Sequence, residues 1–451
     1  MDMLLGFIII IGCLIIGVRH GGLGLAVISG IGLVILVFIF GLKPGSPPVG
    51  VMLTIMAVVT CSGFLQASRG LDVMLKYAEK FLRRNPKYVT VLAPITTWFL
   101  TVLCGTGHVV YTMFPIIYDI AIKQNIRPER PMAVASVASQ MGICASPASV
   151  AVVSMVAMLA NTSAPVGVIQ ILAISMPATL CGVIVAGLWS LRRGKDLDKD
   201  EDFQQRLADP EQKAYIYGET GDNTGSSLAN MELPKSAYWA TAIFIIGIII
   251  IAIFGSFPQF LPHFADAKGV LKPLSMTLAI QMLMLVVAAI IMLVCHVKVS
   301  DVTNGSVFKA GMVAVISVYG VAWMAETYFG AYLPILKESL GQVVLDYPWT
   351  YAIVLFLISK LVNSQAAALA IVVPMALGVG VDPLIILSFI SACYGYFFLP
   401  TYPSDLACIG FDRSGTTRIG KFVINHSFII PGFIGIGTGC CVGYVLAHMF
   451  I

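Results

Sequence analysis

Four short clusters of polar and conformationally free residues interrupt long apolar stretches of this sequence. They are Gly105-Thr106-Gly107-His108, Ser146-Pro147-Ala148-Ser149, Asn363-Ser364-Gln365 and Thr401-Tyr402-Pro403-Ser404-Asp405. Hydroxyl and amide side chains at such breaks supply hydrogen-bond donors. A helix that restarts after a break adds unpaired N–H groups and the positive end of its dipole. That is chemistry for holding a small anion, and one charged at both ends needs donors on two sides. Lys360, in Phe356-Leu357-Ile358-Ser359-Lys360-Leu361-Val362, lies three residues before the third cluster. An ionisable group within an apolar run is a functional candidate by default. Snorkelling, or a structural pair with Asp405, is its plainer reading. Asp405 repels a dianion, so pairing with Lys360, binding a cation or carrying a proton suits it better.

The candidate substrate-contacting set is therefore Gly105, Thr106, Gly107, His108, Ser146, Pro147, Ser149, Lys360, Asn363, Ser364, Gln365, Thr401, Ser404 and Asp405. Each has a structural alternative. The glycines could permit close helix packing, the serines could bond back to their own helix, the prolines could kink it, and His108 could be a satisfied core residue.

Lipid must surround the elements that carry these clusters. The chain has 451 residues, 58% hydrophobic and only 11% charged, too few charges to cover a water-facing surface. Apolar runs of spanning length occur at about 3–18, 23–42, 50–67, 168–190, 239–256, 275–294, 309–325 and 422–446, and two further apolar regions, 88–160 and 349–410, contain the four breaks. The N-terminal run lacks a basic leader and a small-residue cleavage site, so it reads as a first span. The ten cysteines form no CxxC and nearly all sit in apolar runs, as small hydrophobes.

The organisation expected is a first repeat over 1–191, a solvated, cytoplasmic polar linker over 192–237 rich in acidic residues, and a second repeat over 238–451. Gly50–His108 can be laid on Phe308–Ala366, and the Gly105 and Ser146 clusters on the Asn363 and Thr401 clusters. The offset stays near about 260 residues throughout. Loop 68–87 carries Arg69, Lys76, Lys80, Arg83, Arg84 and Lys87, whereas its counterpart, 327–348, carries only Lys337. The positive-inside rule puts the first loop in the cytoplasm and the second outside. Loop 123–130, the start of the linker (Arg192, Arg193, Lys195) and the loop with Arg413, Arg418 and Lys421 are cytoplasmic by the same rule, with both termini external. The copies are then inverted, each with about five transmembrane helices and a re-entrant hairpin, in an all-α polytopic membrane protein. Broken helices meet at the midplane, an arrangement used by secondary transporters.

Other classes find little support. The six histidines form no metal-ligand spacing, no H-E-x-x-H or G-x-S-x-G occurs, and no basic patch stands apart from the loops. The sequence thus argues against an enzyme, a metal site, a cofactor and a nucleic-acid partner. A cation-coupled symporter of the same architecture remains open.

Several motifs together carry a family resemblance: Leu-Arg-Arg-Asn-Pro-Lys-Tyr (82–88), Cys-Gly-Thr-Gly-His (104–108), Asn-Ser-Gln-Ala-Ala (363–367), Leu-Pro-Thr-Tyr-Pro-Ser-Asp (399–405) and Ser-Gly-Thr-Thr-Arg-Ile-Gly-Lys-Phe-Val (414–423). Over essentially its whole length the chain resembles the anaerobic C4-dicarboxylate transporters of the DcuA/DcuB family. Arg-Pro-Glu-Arg-Pro (127–131) and Arg-Gly-Lys-Asp-Leu-Asp-Lys-Asp (193–200) are most similar to the B-type branch. The resemblance implies exchange of fumarate, malate or aspartate against succinate across a bacterial inner membrane during anaerobic fumarate respiration. It also implies membership of a wider ion-transporter superfamily with paired hairpins and elevator-type movement. For some B-type members it implies a second role beside a membrane sensor kinase. A homo-oligomer, a dimer, is the expected assembly.

Overall fold

The computed structural model describes residues 2–47, 49–160, 162, 166–217, 231–265, 271–336, 344, 346–399, 402–420 and 425–450. Lys337 and Thr401 lie outside the described residues. Apart from one antiparallel pair, β1 (His263–Ala265) and β2 (Leu271–Pro273), the described elements are helices. Among the described residues six helical stretches are long and apolar enough to cross a bilayer, or eight if two bent pairs each count as a span. With no water in the hydrocarbon to pair N–H and C=O groups, helices are what such apolar runs must form. The protein is a polytopic membrane protein.

The first part of the chain forms α1 (Asp2–Arg19), α2 (Gly21–Val34), α3 (Val49–Ala67), α4 (Gly70–Arg84), α5 (Val89–Cys104), α6 (Val110–Lys123), α7 (Glu129–Met141), α8 (Val150–Leu159) and α9 (Val168–Ser190). Two short helices follow, α10 (Glu201–Leu207) and α11 (Pro210–Tyr217). The remainder forms α12 (Lys235–Ser256), α13 (Met276–Cys295), α14 (Val299–Asn304), α15 (Ser306–Leu336), α16 (Trp349–Val362), α17 (Gln365–Val379), α18 (Pro383–Ser388), α19 (Pro403–Phe411) and α20 (Ile429–Phe450).

Burial sorts these helices into a centre and a shell. Every residue of α7 is buried, so its seryl and glutaminyl side chains face protein on all sides. The shell helices α12 and α13 instead expose Ile246, Ile249, Leu285 and Leu293, as a lipid-facing surface requires. Helix α9 packs on α20 so closely that a Cβ at Gly182 would collide with the Gly435 carbonyl. Small residues permit such contact between membrane helices, where dispersion rather than hydrophobicity drives association.

The region expected to be a solvated linker is docked over 193–217. Leu197, Phe203 and Ile216 are buried. The Arg130 guanidinium donates to Asp196 (2.7 Å) and to the carbonyls of Arg193 (2.7 Å) and Gly194 (3.0 Å). Arg127 bridges Glu129 (2.8 Å) and Asp200. Arg206 donates to the carbonyls of Ser414 and Arg413, and the Tyr118 hydroxyl donates to the Ile216 carbonyl at 3.1 Å. Each charge leaves water only because a specific partner meets it. Burial pulls the Arg193 guanidinium below its ordinary pKa, against the opposing pull of Glu129, 2.9 Å away.

Candidate functional site

The four predicted breaks are present in the backbone. At the first, α5 ends on Gly105 in the left-handed region (φ 72°), and Thr106 is extended (φ −142°, ψ 136°). The Thr106 hydroxyl accepts from the His108 N–H at 3.3 Å, and the chain enters α6. At the third, α16 ends on Asn363, also left-handed (φ 48°), and Ser364 is extended (φ −152°, ψ 125°). The Ser364 hydroxyl accepts from the Ala367 N–H at 3.3 Å, and the chain enters α17. Glycine and asparagine are the residues that tolerate positive φ, and threonine and serine those that cap a restarting helix. The second break lies between α7 and α8, where the Ser149 hydroxyl accepts from the Val152 N–H at 3.1 Å. The fourth precedes α19, which starts at Pro403 after an extended Tyr402.

All four of these breaks reach one cavity, the fourth through Tyr402. Gly105, Thr106, Gly107 and His108 line it from the first tip, and Asn363, Ser364 and Gln365 from the second, with Ala148 and Val150 at the second break. Gln140, Tyr396, Tyr402, Ser62 and apolar side chains of α3 and α15 complete the wall. The lining includes no Asp, Glu, Lys or Arg among the described residues. The starts of α8 and α17, and the 3-10 turn Gly107–Val109 leading into α6, all face it. Their dipoles and N–H groups give the cavity positive potential without a formal charge.

Gln140, unselected from sequence, joins the two tips. A Cβ on Gly107 would lie 2.6 Å from Gln140 Nε2, so the first tip needs glycine to admit this amide. From the other side, Gln365 Nε2 donates to the Gln140 carbonyl (2.8 Å) and to the Tyr396 hydroxyl (3.3 Å), and that hydroxyl donates to Gln140 Oε1 (2.7 Å). The Cys144 thiol donates to Gln365 Oε1 at 3.2 Å. The one signal in the sequence was an uncharged amide inside a long apolar helix.

The other candidates stand apart from the cavity wall. The Ser146 hydroxyl donates to the Val102 carbonyl at 2.6 Å, fastening the second break to α5, with Pro147 in the adjoining turn. Lys360 Nζ donates to Asn363 Oδ1 (3.3 Å) and to the carbonyls of Tyr396 and Leu399 (both 3.2 Å). None of these bonds is to Asp405, which acts on the ammonium through space as an opposite charge. Lysine at a helix end finds carbonyl dipoles closer than the carboxylate. Asp405 is fully buried beside Ser404 and accepts from the Ser136 hydroxyl of α7 at 2.8 Å, and its Oδ2 has no hydrogen-bond partner among the described residues.

Comparison with known proteins identifies the family. Residues 2–451 match the family described as anaerobic C4-dicarboxylate membrane transporter. The chain is 55% identical over 446 residues, 98% of each protein, to the anaerobic C4-dicarboxylate transporter DcuB of Escherichia coli O6:H1. It is 37% identical over 447 residues to the C4-dicarboxylate transporter DcuA of Escherichia coli K12, covering 98% of this chain and 99% of that one. The fold resembles the YdaH transporter of Alcanivorax borkumensis, with TM-score 0.53 and 17% identity over 90% of this chain and 85% of that one. It also resembles MtrF of Neisseria gonorrhoeae, with TM-score 0.54 and 12% identity over 92% and 84%. At these identities the structural likeness speaks for the fold alone. The chain belongs to the anaerobic C4-dicarboxylate membrane transporter family, and its function is transport rather than catalysis.

Proposed function

We propose that this protein exchanges C4-dicarboxylates across the bacterial inner membrane, taking in fumarate, malate or aspartate against succinate. The carrying observation is the cavity between the two tips, lined from both halves of the chain by neutral donors and helix starts and, among the described residues, by no carboxylate. A linear dianion fits between them with one carboxylate toward each tip. Binding by dipoles and amides keeps the cost of emptying the site low, because no fixed cation is left unpaired when the ligand leaves.

The two parts of the chain act as inverted repeats with both termini periplasmic. The similar backbone of the tips and the Lys/Arg contrast of loops 68–87 and 327–348 support this reading. The hairpins α5–α6 and α16–α17, with the broken crossings α7–α8 and α18–α19, form an elevator that carries the cavity past a scaffold of the remaining helices. The working assembly is a homodimer, and a membrane sensor kinase is a partner in a second role.

Counterflow tests the exchange. Proteoliposomes loaded with unlabelled succinate should accumulate labelled dicarboxylate, whereas empty ones should not; equal uptake by both would overturn exchange. Single cysteines at Arg84 and Asp346, in a cysteine-free background, should label from opposite sides of the membrane, and labelling from one side would remove the inverted repeat. A cation-coupled symporter is the second reading, favoured by buried Asp405, one of whose oxygens has no hydrogen-bond partner among the described residues. It predicts uptake into unloaded vesicles driven by a sodium or proton gradient.

A further inference from the structure

We infer that the exposed stripe of α4 binds the headgroups of anionic phospholipids. Tyr77, Lys80, Phe81 and Arg84 recur at i, i+3, i+4 and i+7, which places them on one helical face. Lys87 and Tyr88 follow in the next turn, and all six side chains are exposed. The opposite face, with Met74, Leu75, Ala78 and Leu82, is buried. Aromatic rings and cations thus alternate along a surface whose other side is packed.

Two further observations point to the bilayer surface. Helix α4 turns away from α3 by 69° at Ser68–Arg69, so one member of this pair crosses the bilayer and the other runs nearer its plane. The acidic groups around α4 are already committed: Asp72 to Arg69 (2.8 Å), Glu79 to Arg83 (2.8 Å), and Asp119 to Arg83 (2.9 Å) and Lys123 (2.8 Å). Lys80, Arg84 and Lys87 have no ion pair with any described residue. Three uncommitted cations set among exposed tyrosine and phenylalanine rings match a headgroup layer. The rings sit at the polar–apolar boundary and the cations reach phosphate. A soluble anion would give the rings nothing to bury against. The inference depends on the membrane setting of α4 and is independent of which substrate is carried.

The experiment places a reporter in the stripe. Tyr77→Trp protein is reconstituted into phosphatidylcholine vesicles with a minority of phosphatidylglycerol. Bromine is carried on the chains of one lipid or the other at equal mole fraction, and emission of the added tryptophan is taken as the difference from the parent protein. Brominated phosphatidylglycerol should quench it about twofold more than brominated phosphatidylcholine. Raising the salt concentration should shrink that excess, and the combined Lys80→Gln, Arg84→Gln and Lys87→Gln variant should abolish it. Equal quenching by the two lipids in the Tyr77→Trp protein would overturn the inference. Quenching by neither would also overturn it, and would show the face to be covered by protein, a second copy being the first candidate. Fluorescence reads lipid contact alone, so failed exchange in counterflow leaves this result interpretable.

Discussion

The first and third breaks reach the same backbone shape by different chemistry. Both use a left-handed residue, an extended hydroxyl residue and a restarting helix. The first fills the left-handed position with Gly105, and a Cβ there would collide with the Ala148 carbonyl. The third uses Asn363, whose side chain accepts from Lys360. At the third position the first tip has Gly107, which leaves room for the Gln140 amide, and the second has Gln365, which reaches out to Gln140. One tip is shaped by what it lacks and the other by what it bonds. Substitutions should therefore act asymmetrically on two geometrically similar turns.

The largest expected effect is at the glycine tip. Gly105→Leu imposes a left-handed penalty of about 1–2 kcal/mol and adds a backbone collision, so counterflow should fall to background while the protein still inserts. Asn363→Gly, at the matching position, should retain exchange within about twofold, since glycine takes positive φ freely. Equal losses in both variants would break the comparison.

Gln140→Glu comes next. It places a carboxylate between the tips, where repulsion of the dianion through protein of moderate dielectric is worth about 4 kcal/mol at 4 Å. Dicarboxylate binding to the purified variant, followed calorimetrically, should weaken at least about tenfold. Unchanged affinity would remove Gln140 from the site.

Tyr396→Phe deletes one donor to Gln140 Oε1 and leaves that oxygen buried, a loss of about 1–3 kcal/mol. Affinity should drop about five- to a hundredfold. The tips remain joined through Gln365, so exchange should persist at saturating substrate.

Lys360→Gln should have the smallest effect. The ammonium is not itself in the cavity wall and donates to two carbonyls and to the amide oxygen of the lining residue Asn363, and a glutamine amide can still donate to one of them. Affinity within about threefold of the parent is expected, because a lost exposed or redundant hydrogen bond is worth little. A loss as large as that of Gln140→Glu would restore Lys360 as a direct ligand.

Helices and breaks were legible in the sequence because lipid punishes irregular backbone: a Gly-Thr-Gly or Asn-Ser-Gln inside an apolar run needs a reason. The roles of individual side chains were less legible. Ser146 and Thr106 are both hydroxyl residues at breaks, yet one fastens α5 and the other caps a turn in the cavity wall. What separates them is which neighbour lies across the gap, a long-range fact with no local signature. Residues 193–217 misled for the opposite reason. Their charge reads as solvation, but Asp196 and Asp200 are matched to Arg130 and Arg127 some seventy positions upstream, and Leu197, Phe203 and Ile216 find apolar cover only once those loops assemble.

That docked segment bears on how the polypeptide could be divided. Through Arg206 it holds the backbone of Arg413 and Ser414, and through Ile216 it holds Tyr118, so its contacts join the two parts of the chain by surface complementarity as well as by covalent continuity. A gene split between the codons for Tyr217 and Met231 would leave the whole clasp on the N-terminal fragment. Two co-produced pieces would then have a preformed mating surface.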